Sequence, residues 1–562
     1  MILNHWIDQL GDWNPQLFRE LKGRLTAKYV AIMFLVSAVA QSLVYMSFKS
    51  ALPYTPYYEN QTNHYCLSSS PSAPYAQSAC VLDAAGVMTI NWPLWWTEMF
   101  LTLSLIGVFV LALGGTYLLI QDLTKEQKQG TLNFVTLSPQ SATAIALGKI
   151  LGVPIWIYGC IVAALPLHLW AGFRGGIPIH LILLFYGVVG ACCLFFYSGA
   201  MLFALVSKGG PALKAWLGTG ALFYTAGMST MLLIHEHIHA SNVADGLLLL
   251  NPIHLLVFLA HASPVADTLD WFQYNTLSDI SFFRVPILQL AITAALTHFV
   301  IYGIGTYWFA QAFKRQFHNA HSTLISKKQS YILTALLTVF TLGFTVQEPY
   351  YGYSSDYNNW LVNFVSLAVL ATFYLLMLIA ALSPAYQSIQ DWSRYQNRKP
   401  KVCFFGERSP AFWAIALNAL ICFGSMAIAG LAVIEAQYRL MFALGFISQI
   451  LIVVVLVGLG QYFLLARHKK RGAFATAIVL SSVVLPFLVL AMENANPQFS
   501  PAPWLWTITP LVAIKEASLS VMLATILGQL AVIGGLNQLI KKRIHRIGSS
   551  ELRQLMDAKS LT

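Results

Sequence analysis

Uninterrupted apolar runs of about twenty residues recur from one end of this sequence to the other, as in "AIMFLVSAVAQSLVYM" and "LIVVVLVGLGQYFLL". A helix of roughly 20 residues spans about 30 Å, the thickness of a bilayer's hydrocarbon core. Inside lipid, only helices and closed barrels satisfy every backbone hydrogen bond. Barrel strands would alternate apolar and polar residues, and these runs do not alternate. Composition points the same way. The 562 residues are 57% hydrophobic and only 10% charged, against roughly 25% charged in soluble domains. The sequence therefore predicts an all-α, polytopic transmembrane bundle.

Twelve spans are expected, centred near residues 38, 106, 160, 192, 224, 298, 338, 371, 422, 453, 482 and 528. The first is internal and follows a polar start, so no cleavable signal peptide is evident. Placing both termini in the cytoplasm puts 28 of the 33 Lys and Arg residues inside. Only Lys49, Arg174, Arg284, Arg439 and Lys515 then fall outside, as the positive-inside rule requires. The net charge of +11 is accounted for by topology and by anionic lipid at the inner face of a cytoplasmic membrane. Membrane lipid is thus an expected partner and nucleic acid is not.

Of the seven cysteines, Cys160, Cys192, Cys193 and Cys422 lie in apolar runs and read as small packing residues. Cys403 lies on the cytoplasmic side. Cys66 and Cys80 share the first outer loop, where an oxidising compartment permits a disulfide; two free thiols in a Ser/Pro-rich loop are the alternative.

Residues 1–27 read as a cytoplasmic segment with an amphipathic helix lying on the membrane. Asn14 caps it, Pro15 suits its first turn, and Leu17, Phe18, Leu21 and Leu25 share a face. Arg19, Lys22 and Arg24 then meet lipid headgroups. The rest divides into two six-span halves, 28–325 and 326–562, each with Ser-Pro followed by Ala-Ile-Ala after its second span. These stretches are "LSPQSATAIALGK" and "RSPAFWAIALN". Each half later has a Pro in an outer apolar stretch, "LLNPIHLLVFL" and "WTITPLVAI", and ends on a span followed by basic residues. An even number of spans relates such halves by an axis along the membrane normal.

The cytoplasmic segment 121–149 begins with polar residues, including Asp122, Lys125, Glu126 and Lys128. It then offers Leu132, Phe134, Val135 and Leu137 before Ser138-Pro139 turns the chain. Nothing in it holds a metal or activates a nucleophile, so it reads as a docking surface. The pattern Glu126, Gly130-Thr131-Leu132, an apolar stretch, Ser138-Pro139 and Gly148-Lys149 resembles the permeases of type-2 ABC exporters, with Phe134 of that stretch a further coupling candidate. That resemblance implies that this segment is a coupling helix fitting into a cleft of an ATPase subunit. The amphipathic helix before the first span and the outer Asn251-Pro252 are similar to the family too. The likeness covers residues 14 to about 320. The second half is similar only in outline: in its cytoplasmic segment, 384–410, Gly-Thr-Leu is missing and "GERSP" stands instead. Its coupling candidates are Asp391, Arg394, Glu407, Ser409 and Pro410.

No G-x-x-x-x-G-K-[ST] phosphate loop exists in the chain. The resemblance then implies that ATP and Mg are bound by separate ATPase subunits at the inner face, with no cofactor on this chain. One fused chain or a homodimer fits such a transporter.

"LLIHEHIHASN" offers a rival, because His235, Glu236 and His239 match the H-E-x-x-H zinc-protease pattern. On a helix His235 and His239 share a face, as metal ligands must. No second motif supplies a third ligand, and the stretch, with His237, falls at the outer end of the fifth span. It reads as an outer vestibule together with Asn251 and Pro252. An ion-gradient-driven secondary transporter is the stronger rival, yet it calls for carboxylates deep in the spans. Glu98 and Glu493 fall near the outer interface instead. A membrane glycosyl- or acyltransferase lacks clustered carboxylates. The expected function is an ATP-driven exporter's permease, without enzymatic activity of its own.

Overall fold

The computed structural model describes residues 11–53, 63–67, 80–83, 87–234, 244–266, 269, 280–319, 321–346, 359–395, 404–468 and 470–549. Helix dominates them. The strands are two residues each, β1 (Ser281–Phe282) and β2 (Val285–Pro286), paired in a hairpin.

In chain order the first part comprises α1 (Pro15–Arg24), α2 (Ala27–Ser50), α3 (Trp92–Phe109), a π turn (Val110–Gly114) and α4 (Gly115–Gln129). It continues with α5 (Thr131–Thr136), α6 (Ala142–Gly152), α7 (Ile155–Arg174), α8 (Ile179–Val206) and α9 (Pro211–Ile234). The short α10 (Ala244–Leu248) and α11 (His254–His261) precede α12 (Ala291–His318). The second part holds α13 (Lys327–Thr345), α14 (Asn359–Leu382), α15 (Tyr386–Tyr395), α16 (Phe412–Val433), α17 (Arg439–Leu464), α18 (Arg471–Met492), α19 (Pro501–Trp504) and α20 (Leu519–Gly548).

Among the described residues, nine helical stretches are long and apolar enough to cross a membrane. The protein is a multi-pass helical membrane protein. All twelve expected centres fall within helices, but those near 224, 298 and 338 lie in α9, α12 and α13, outside the set of nine. In α13 and α12 the reason is polarity: α13 starts on Lys327 and Lys328 and carries Thr334, Thr338, Thr341 and Thr345, and α12 contains His298 and has Lys314 and Arg315 near its end.

Contacts divide the chain into two compact units. The first runs to His318 and the second from Asn319, with short stretches at 241–246 and 281–285 joining the second. In the first unit, α8 packs along α12, α4 against α8 and α9, and α2 along α7. In the second, α17 packs against α16, α18 and α20. α3, the π turn and α4 form one 38-residue stretch. At the π turn the Tyr197 hydroxyl donates to the Leu111 carbonyl at 2.7 Å, taking a carbonyl that the irregular turn frees.

Each unit also contains a broken, buried segment too short to span, and each is clasped by amide side chains. Residues 251–260 are all buried. The Asn251 amide donates to Ser229 Oγ (2.7 Å), Thr230 Oγ1 (3.0 Å) and the Ala226 carbonyl (3.1 Å). Its own carbonyl sits 2.6 Å from His254 Nδ1. In the second unit, Gln529 Nε2 donates to the Leu505 carbonyl at 3.1 Å and Gln449 Nε2 to that of Ile508, also at 3.1 Å. Non-helical backbone inside a bilayer survives only where its polar groups find such partners.

Candidate functional site

The site is built on α1. Asn14 caps it, its Oδ1 accepting from the Gln16 and Leu17 amides at 3.0 and 3.1 Å. The same side chain donates through Nδ2 to the Ala144 carbonyl at 2.8 Å, so the cap also ties α1 to α6. Leu17 and Leu21 are buried, with Phe18, Leu25, Leu151 and Ile155 packed around them. The apolar face of α1 therefore meets α6 and the start of α7.

Gly148 permits that contact. A Cβ there would stand 2.8 Å from the Leu17 backbone nitrogen and 2.9 Å from Asn14 Oδ1. Gly152, one turn on, faces Glu20 in the same way. Two glycines four residues apart let helices approach closely. Gly148 in "GK" serves helix contact.

Lys149 then reaches into the interface. It is 1% exposed, and its ammonium lies 2.8 Å from Asp122 Oδ2, 2.9 Å from Glu126 Oε2 and 3.1 Å from Glu20 Oε1. Arg24 pairs with Asp122 at 2.7 Å and Glu20 at 2.9 Å and donates to the Val153 carbonyl at 2.6 Å. Arg19 pairs with Glu126. Three carboxylates thus meet three cations, and the cluster is neutral. Oxygens of Glu20, Asp122 and Glu126 approach within 4.8 Å of one another, but the Lys149 ammonium occupies their point of convergence, and the set needs no metal. Burial alone would lower the Lys149 pKa; the carboxylates of Asp122, Glu20 and Glu126 outweigh it and hold the pKa above its ordinary value.

Two expectations change. Glu126 and Lys149, expected on a docking surface, face each other in an internal cluster. Arg19 and Arg24, expected among headgroups, are partners of that cluster; Lys22 lies 5.1 Å from the Phe18 ring centroid. Sequence reading missed Glu20 and the inward role of Asp122. The available signal was a lone acid on an otherwise apolar and basic helix.

The outward surface comes from α5. Gly130 ends α4 at φ +74, a left-handed conformation that favours glycine, and α5 starts immediately. Thr131 Oγ1 donates to the Glu126 carbonyl at 3.2 Å. Leu132 and Val135 turn into the core, beside Leu119, Leu123 and Ile145. Phe134 and Leu137 point out, 78% and 83% exposed. Ser138 closes α5 by donating to the Val135 carbonyl at 2.7 Å, and Pro139 is exposed. The four apolar residues read as one surface are thus split, two anchoring and two presented.

In the second unit, Ser409 Oγ accepts from Lys327 Nζ at 2.6 Å and the Pro410 carbonyl does so at 3.0 Å. Ser409 is fully buried and joins α13 to the start of α16. Asp391 and Arg394 lie elsewhere, exposed on α15, which packs against α20 through Ser393 Oγ and the Ile544 carbonyl at 2.8 Å. Glu407 is exposed just before Ser409.

Cys66 and Cys80 form a disulfide, with 5.5 Å between their Cα atoms. Beside it, Tyr65 donates its hydroxyl to Glu98 Oε2 at 2.6 Å, and His64 Nε2 lies 2.6 Å from Glu98 Oε1. Burial first, and then Glu98, push the Tyr65 pKa up. Asn251 and Pro252, expected in an open vestibule, are buried in the clasped segment. His235, Glu236, His237 and His239 lie outside the described residues. Compared with known proteins, the chain matches no family model, no curated protein and no solved structure.

Proposed function

We propose that this chain is the membrane-spanning permease of an ATP-driven exporter of the type-2 ABC class, with separate ATPase subunits docking on the α5 region. The observation that carries this reading is the exposed pair Phe134 and Leu137, presented on a short helix whose other face is anchored and whose base is the Lys149 cluster. An apolar knob on a rigid mount suits insertion into a partner's cleft, and it transmits a push into the spans through packed helices. Glu126 and Lys149 belong to the mount, not to the contact. In this reading, both termini are cytoplasmic, the chain has two six-span halves, and it moves an unidentified substrate across the membrane.

The test is co-purification from the native host in mild detergent, with ATP turnover measured on the eluate. Phe134→Asp/Leu137→Asp should lower retained ATPase activity roughly tenfold or more, as loss of a central apolar anchor does. An unchanged eluate in that variant, or no ATPase with the unaltered chain, would defeat the proposal. In the second case an ion-gradient-driven transporter becomes the better reading.

A further inference from the structure

The second unit carries a cleft of about 910 Å³ between the ends of α15, α17 and α20. Its charged lining is Arg394, Arg467, Lys542, Arg543 and Arg546, and no carboxylate lines it among the described residues. Arg394, Lys542 and Arg543 converge there and create a positive potential that favours an anion. Part of this lining is pre-oriented. Arg543 Nη1 donates to the Tyr462 carbonyl at 3.0 Å, with its guanidinium 4.3 Å from the Tyr462 ring centroid. Arg471 lies 5.3 Å from the ring of Tyr386, a lining residue. Planar, fixed guanidinium groups match phosphate oxygens better than mobile ammonium groups do.

Depth and the adjoining surface identify the occupant. α20 has 30 residues and is about 45 Å long, against about 30 Å of hydrocarbon. Its basic end therefore extends past the acyl region to the level of headgroups. Leu539 lines the cleft and is 45% exposed, and Val532, seven residues earlier, is 40% exposed. The spacing of Val532, Leu539, Arg543 and Arg546 places them on one side of the helix. An apolar strip thus leads into a cationic cleft.

We infer that this cleft seats the phosphate headgroup of an anionic phospholipid, with an acyl chain along Leu539 and Val532. A soluble phosphate compound would use the cations but not the strip. This site is independent of the ATPase-docking reading and holds whether or not that reading does.

The test uses the full-length protein in detergent, with phosphatidylglycerol and phosphatidylcholine as probes and bound lipid counted by native mass spectrometry. Phosphatidylglycerol should be preferred, and Arg394→Gln/Lys542→Gln should cut the preference roughly tenfold. Both replaced side chains are exposed; Lys542→Gln alone should cost roughly threefold. Lys28→Gln/Lys208→Gln removes the same charge outside the cleft and should leave the preference within about twofold. An equal loss in that control would reduce the effect to general membrane electrostatics and overturn the site. Unaltered preference in the cleft variants would overturn it too. Full displacement of phosphatidylglycerol by millimolar inorganic phosphate would make it a phosphate site and overturn the lipid assignment.

Discussion

The charge cluster of the first unit and the basic cleft of the second are both made of long cationic side chains gathered at helix ends. In the first, Lys149, Arg24 and Arg19 meet Glu20, Asp122 and Glu126, and the central ammonium is 1% exposed. In the second, five cations line an open cleft with no carboxylate among its described lining residues. A buried charge must be neutralised where it stands, because the low dielectric makes an unpaired ion very costly. Arg394 and Lys542, by contrast, are exposed in the cleft and keep their hydration. The first arrangement therefore fixes helices relative to one another, and the second is a surface for binding.

The sharpest way to break this contrast is Lys149→Met. It leaves three carboxylates around an apolar group, and removing one partner of a buried ion set costs about 3–5 kcal/mol. The expected result is a melting temperature in detergent well below that of the unaltered protein, with Lys149→Arg intermediate. An equally stable Lys149→Met protein would show that the cluster is not structural. The same variant gives a pH test. The folded-state pKa of Lys149 is raised. Its contribution is thus fully present below the ordinary lysine value, about 10.4, and is lost as pH rises through the higher folded value. The gap between the unaltered protein and Lys149→Met should be constant near neutrality and narrow only above about pH 10.4. A gap already closing near pH 8 would contradict the assignment.

Gly148→Val tests the geometry that lets the cluster form. The added Cβ meets backbone at 2.8 Å, which cannot rotate away as a side chain can. Overpacking of this kind costs about 1–3 kcal/mol, so the melting temperature should fall less than in Lys149→Met. Stability unchanged within error would mean that α1 shifts freely on α6.

Much of this fold was legible in the sequence because lipid imposes a one-dimensional rule. A run of about 20 apolar residues must be helical to satisfy its backbone, so the nine long apolar helices of the described residues follow from hydropathy, while the expected spans near 224, 298 and 338 lie in helices outside that set. The N-terminal helix was legible for a local reason, since Asn14 and Pro15 mark a helix start. The site was only half legible. Glu126, Gly130 and Lys149 stand out by motif, but what they touch does not. Lys149 meets Glu20 across 129 residues, and no spacing rule reports a contact at that separation. Alternation within "TLNFVTL" did not reveal which side chains point inward, because six residues of helix bounded by glycine and Ser-Pro are too short to define a face. The basic cleft was equally hidden. Its residues come from three separated stretches that each read as ordinary inner-side positive charge.

Lys542→Gln carries the smallest expected effect and is the most discriminating. Lys542 is exposed and stands in the last turns of α20, near Arg543 and Arg546. Lys542 lies before the last turn, where the helix dipole has faded, so its removal mainly relieves weak, screened repulsion among like charges. The net effect should fall within about 0.5 kcal/mol of zero, as for most surface changes. In low salt, where repulsion is least screened, the melting temperature should hold or rise slightly. A loss approaching that of Lys149→Met would mean that the cleft cations are structural after all, and the two regions would then differ in exposure but not in role.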